Sequence, residues 1–178
     1  MKNLSMSIHS DDHILGPENA TVTILQYGSY DCHHCRGAVN ILAQLPKLYS
    51  GTLSFAYRHF PRETDNSTPS HRAAEAAEAA GKQGKFWEMH AHLLEHQDAL
   101  DDANLFAYAV LLGLDTRLFA DDLDHHRSEN RVRIDFQSGL DSGVHSTPTF
   151  FINEVRHDDY WDVETLLAAI RAATPANQ

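Results

Sequence analysis

The sequence predicts an α/β protein in which one sheet is interrupted by a helical insertion. Three observations carry that expectation. A strand–helix–strand order opens the chain over 21–60, helix-forming sequence fills 66–141, and two short strands with an amphipathic helix close it. A length of 178 residues is ample for a hydrophobic core and suits one domain carrying a large insertion.

Each element has a local reason. "TVTILQYG" (21–28) is rich in β-branched and aromatic residues and ends at a glycine, which predicts a buried strand. "CHHCRGAVNILAQLPKL" then places Val39, Ile41, Leu42, Leu45 and Leu48 at roughly helical spacing, with Pro46 expected to kink or end the helix. "TLSFAYRHF" (52–60) reads as a second strand stopped by Pro61, and the opening is thus a parallel βαβ unit. In the middle, "HRAAEAAEAAGKQGKFWEMHAHLLEHQ" is helical sequence broken at Gly81 and Gly84. A further helix follows, capped by Asp101 or Asp102 and stopping near Gly113. Val132, Phe136 and Leu140, at i, i+4 and i+8, predict the apolar face of another. At the end, Phe150–Ile152 and Val155–His157 read as strands around an Asn153–Glu154 turn, and Val163, Leu166, Leu167 and Ile170 form the face of a last helix. The parts are therefore 12–65, 66–141 and 142–174, expected to form one continuous structural unit.

Composition narrows the partners. Asp and Glu number 25 against 14 Lys and Arg, for a formal net charge of −11. Such a surface repels polyanions, so neither nucleic acid nor an anionic membrane face is an expected partner. No apolar run is long enough to span a membrane. The first residues hold one Lys but no continuous apolar stretch and no small-residue cleavage pattern. A cytoplasmic protein is expected, or an extracytoplasmic one if the chain is a trimmed mature form.

The 2 cysteines, Cys32 and Cys35, flank His33 and His34. A bridge closing so small a loop removes little entropy from the unfolded chain, so a purely structural staple is disfavoured. A structural zinc is disfavoured too: four consecutive residues on one helical turn cannot converge tetrahedrally, and no second Cys pair exists. The expectation is therefore no metal. At the start of a helix, however, residues i and i+3 have Cα atoms about 5 Å apart, within disulfide reach. Cys32 there meets unpaired amides and the positive end of the helix dipole, which favour its thiolate. It is the expected nucleophile, and Cys35 the inward-pointing resolving thiol. A hydrogen-bond-donating His34 further stabilises the Cys32 thiolate and makes the disulfide more oxidising. His33 adds to the local positive field and projects toward solvent or substrate. His90, His92 and His96, and the pair His125–His126, read as solvated helix faces; Phe86 and Trp87 read as packing residues.

Strand–"CHHC"–helix, a helical insertion, then "STPTFF" before a hairpin and final helix resembles the DsbA-like branch of the thioredoxin superfamily, from about Asp12 to Ala173. "DHILGPENATVTILQYGSYDC", "AAEAAEAAGKQGKFWEMH" and "SGVHSTPTFFIN" look like that group's recurring segments. The resemblance implies a thioredoxin-like α/β fold and a thiol–disulfide oxidoreductase acting on protein or peptide thiols and disulfides. It also implies a cis peptide before Pro148, with Pro148 contacting the disulfide and Thr147 offering its backbone to an extended substrate. Glutathione or another redox partner would complete the cycle, and no cofactor is needed because the cysteine pair carries the electrons. One departure stands out. Such proteins commonly hold a buried acid six residues before the first cysteine, where this chain has Gln26. An amide hydrogen-bonds but cannot act as a general base at neutral pH, so Gln26 is either a buried polar residue near the proton relay or a strand end near the surface. Two other readings stay open: a glutathione-dependent isomerase or transferase of the same fold, and a non-catalytic, chaperone-like peptide-binding module.

Overall fold

The computed structural model describes residues 3–62 and 65–174. The first half contains β1 (His13–Leu15), β2 (Val22–Gly28), α1 (His33–Leu42), α2 (Leu45–Leu48), β3 (Leu53–His59), α3 (Pro69–Gly81) and α4 (Phe86–Glu95). The second contains α5 (Asp102–Leu111), α6 (Thr116–Asp124), α7 (Glu129–Asp141), β4 (Thr149–Ile152), β5 (Val155–His157) and α8 (Val163–Ala173). They form two compact units. One runs to Gly28, resumes over His34–Arg58 and again from Ser138; the other comprises Ser29–His33 and His59–Gln137.

The first unit is built on a five-stranded sheet in the order β1-β3-β2-β4-β5. Antiparallel pairing sets Ile24 opposite Ile152 and Gln26 opposite Phe150, so these four residues share a face. That face carries the core: Val22, Ile24, Phe150 and Ile152 pack with Ala38, Leu45, Leu166 and Ile170 from α1, α2 and α8. The strip of α1 and α2 that is buried runs through Cys35, Ala38 and Leu45, whereas Val39 and Leu48 are 41% and 50% exposed. Pro46 does not kink α1, which has already ended; it occupies the first turn of the separate helix α2, where its missing N–H costs nothing. The edge strand β1, paired antiparallel with β3, has too few residues for a sequence period to reveal it.

Asn153 and Glu154 make the β4–β5 turn, both with positive φ (45° and 67°), as a two-residue hairpin turn demands. A glutamate is held there because its carboxylate accepts the Ile8 N–H (3.2 Å) and the Ser7 hydroxyl (3.3 Å). The N-terminal segment is tied down a second time by Arg58, which is fully buried. Its guanidinium donates to Asp12 at 2.9 and 2.7 Å, to the carbonyls of Met6 and Ser7, and to the Tyr27 hydroxyl. Burial alone pushes the Asp12 carboxyl up, but the Arg58 hydrogen bonds outweigh it and the net shift is downward.

The second unit is helical, with α3 against α4, α5 and α6. Six alanines of α3 are buried, which lets neighbouring helices approach closely, and Thr68 caps it ahead of Pro69. Four polar side chains of α3 are buried as well: Ser70, His71, Glu75 and Glu78. Glu78 pairs with the His59 ring at 2.9 Å, and Glu75 with His126 at 3.0 Å. The face of α7 differs from its apolar spacing: Leu140 is 42% exposed, while Val132, Asp135, Ser138 and Ser142 are buried. The strip is polar because its groups have partners. Asp135 accepts the His59 N–H, Ser138 bonds the Tyr27 hydroxyl at 2.8 Å, and Ser142 accepts the Ser5 N–H.

Candidate active site

Within the second unit, the turn Ser29–His33 delivers Cys32 to the residue just before α1. The turn is held at several points. Cys32 N–H donates to the Ser29 carbonyl at 3.3 Å. The Gln97 amide donates to the carbonyls of Tyr30 (2.8 Å) and Cys32 (2.9 Å), bracketing the cysteine's own peptide. Asp31 accepts from the Ser29 hydroxyl (2.5 Å) and from Ser70 at the start of α3 (3.2 Å), while Ser29 and Ser70 are 2.7 Å apart. The Tyr30 hydroxyl meets His90 Nδ1 at 3.0 Å. An open cleft of about 340 Å³ lies beside this turn, lined by Asp31, Arg62, Thr68, Ser70, Gln97 and Leu100.

Cys32 is 3% exposed and Cys35, in the first turn of α1, is fully buried. His33 and His34 are exposed. In the first unit, the His34 ring meets Trp161 edge-on at 6.2 Å, and Trp161 in turn lies 6.4 Å from Phe150. The Thr147–Pro148 peptide is cis and partly exposed, and Thr149 next to it donates its hydroxyl to the Ser146 carbonyl at 2.7 Å. Gln26 is 5% exposed in the interior of β2, not a surface strand end, and its Nε2 has no hydrogen-bond partner among the described residues.

Cys32 immediately precedes α1 and Cys35 lies in its first turn, where the leading amides of a helix have no intrahelical acceptor. Gln97, Asp31 and Ser70, which hold the turn before α1, were not expected from the sequence. A single amide far along the chain and a serine opening an alanine-rich helix carry no periodic signal.

A family model described as thioredoxin matches residues 9–172. The chain belongs to the thioredoxin family. Among solved structures, a thioredoxin-like oxidoreductase from Silicibacter pomeroyi superposes with a TM-score of 0.82 at 23% identity, covering 95% of each chain. BdbD from Bacillus subtilis gives 0.80 at 22%, over 93% of this chain and 94% of that one, and Wolbachia pipientis alpha-DsbA1 gives 0.77 at 21%, over 94% and 92%. This thioredoxin-family chain therefore has the DsbA-like form of the fold, a mixed sheet with inserted helices. Its sequence is also 41% identical over 162 residues to an Na(+)/H(+) antiporter of Salinispora tropica, over 91% of this chain but 24% of that protein. The chain thus spans about a quarter of the length of the curated relatives it matches. Among the described residues no helix is long and apolar enough to cross a membrane.

Proposed function

We propose that the chain is a thiol–disulfide oxidoreductase that oxidises protein or peptide thiols through a Cys32–Cys35 disulfide. The observation that carries this is the position of the pair across the start of α1, with Cys32 just outside the helix and Cys35 buried one turn on. A substrate thiolate attacks the Cys32 sulfur, forming a mixed disulfide and releasing Cys35 as a thiolate that takes up a proton. A second substrate thiolate then attacks the substrate sulfur, and Cys32 leaves as a thiolate held by the amides of α1. Two substrate thiols become one disulfide, and the enzyme's disulfide becomes a dithiol. The small exposure of Cys32 selects flexible chains over folded surfaces as substrates. In this reading Thr147 offers its backbone to the substrate, Pro148 lies against the disulfide, exposed His33 faces substrate, and His34 favours the thiolate. With Gln26 in place of an acid, water carries the Cys35 proton.

Cys32→Ser is expected to abolish both oxidative refolding of a reduced substrate and insulin reduction. Wild-type turnover in that variant would remove Cys32 from its role. The direction is read from the equilibrium potential against glutathione, where about −120 mV marks an oxidant and about −270 mV a reductant.

A further inference from the structure

We propose that His92, Glu95 and His96 on α4 form an open binding site for a divalent cation of the zinc–copper class. The histidine spacing alone is a common surface pattern; the geometry adds three things. Donor atoms of the three side chains lie within 4.8 Å of one another, all on one turn. A tetrahedral centre with bonds of about 2.1 Å needs donors about 3.4 Å apart, a closure that partly exposed side chains reach by small torsional changes.

Second, His96 is the C-cap of α4, and its Nδ1 donates to the His92 carbonyl at 2.9 Å. That bond consumes one ring nitrogen in satisfying a helix-end carbonyl and fixes the tautomer, leaving the Nε2 lone pair for a ligand. A ligating imidazole whose other nitrogen donates to a carbonyl is the arrangement metal sites use. Third, Tyr108 from α5, its hydroxyl fixed on the Ala99 carbonyl at 2.8 Å, lies 4.4 Å from the His92 ring and 5.7 Å from His96. Both imidazoles are held on one side before any ion arrives, and their centroids are 4.2 Å apart.

The other His–carboxylate cluster among the described residues, His59, Glu78 and Asp135, contrasts with this one. There the Nε2 of His59 is already spent on Glu78, Asp135 accepts the His59 N–H and lies against Arg131, and the group is buried. Two imidazoles and one carboxylate, with the remaining positions open to water, suit zinc, nickel or copper and not magnesium or calcium, which require oxygen ligands.

The test is calorimetric titration of ZnCl₂ and NiCl₂ into the full chain with its cysteine disulfide closed, so that the thiols do not compete. Wild type is expected to bind one equivalent. His92→Ala, which leaves the helix cap intact, and His96→Ala should each weaken binding about tenfold or more, roughly the loss of one ligand's share. Glu95→Gln should weaken it less, and His125→Ala should leave it unchanged. Magnesium chloride should give no heat of binding. Equal affinity in wild type and in a folded His92→Ala/His96→Ala variant, or no zinc binding by wild type at millimolar metal, overturns the proposal.

Discussion

Gln26 and Gln97 are both buried amides, yet only Gln97 has partners for its nitrogen, and those partners are the carbonyls around Cys32. The orphaned Nε2 of Gln26 costs about 1–3 kcal/mol as an unmade hydrogen bond. Gln26→Glu removes that donor but buries a carboxyl instead, and desolvation of the charge is the larger effect. Its pKa should lie above that of an unfolded glutamate. The variant should therefore lose about 1–3 kcal/mol at pH 7 and recover most of it near pH 4, where the carboxyl is protonated in both states. Urea melts at the two pH values measure this. Insulin reduction by the variant should also acquire a pH inflection that wild type lacks, because a titrating group then faces the proton transfer. Superimposable rate–pH profiles would show that the position has no access to the reacting sulfurs.

At the scale of elements, helix ends are set by single side chains. Asp162 caps α8 by accepting the Thr165 N–H at 2.9 Å, and α8 brings Leu166 and Ile170, both fully buried, to the core of the first unit. Asp162→Ala should cost about 0.5–2 kcal/mol, read as a shift of the urea midpoint with unchanged slope. Asp101 and Asp115 do the same for α5 and α6, accepting the N–H groups of Asn104, Arg117 and Leu118. The helix α3 illustrates a different economy. Its alanines permit close packing, and its buried glutamates are paired, Glu78 with His59 and Glu75 with His126 and with Arg72 of the same helix; burial nevertheless pushes the Glu75 carboxyl up.

For the whole molecule, pH acts through groups of opposite sign. Asp12 is depressed in the fold, so its contribution is complete above the unfolded value near 4 and is lost as pH falls below it. Removing its partner with Arg58→Met should cost about 3–5 kcal/mol near neutrality, because a buried carboxylate is left unpaired. His71 works higher. It is buried, neither ring nitrogen has a hydrogen-bond partner among the described residues, and it borders a cavity of about 40 Å³ with Glu129 and Arg133. Burial holds its pKa down; Glu129 opposes this, while His59, His126 and Arg72 add to it. The unfolded chain therefore takes up the proton first, and stability falls as pH drops below about 6.5. Glu75 and Asp135, raised by burial, have the reverse sign and bind protons first in the fold. The His71 contribution is isolated by difference: the melting temperature of His71→Phe should depend less steeply on pH between 7 and 5 than that of wild type. Parallel curves would contradict it.

Much of the fold was legible because its causes are local. β-Branched runs marked β2 and β3, a two-residue turn of Asn153 and Glu154 marked the hairpin, and apolar spacing marked α8 with its buried Leu166 and Ile170. The same holds for the cysteines: a strand ending at Gly28 and a helix beginning at His33 leave Cys32 no other place than a helix start. The sequence by itself thus determined the order of the longer elements, β1 and the separate helix α2 apart, and the placement of two cysteines at the start of a helix. Only tertiary structure decided which polar groups are buried and with whom. Arg58 meets Asp12 46 residues away, His59 meets Glu78 across 19, and Gln97 reaches Cys32 across 65. A period reports burial of apolar surface along one element. A buried polar group is stabilised by a partner whose chain distance is arbitrary, and it therefore leaves no repeat to read.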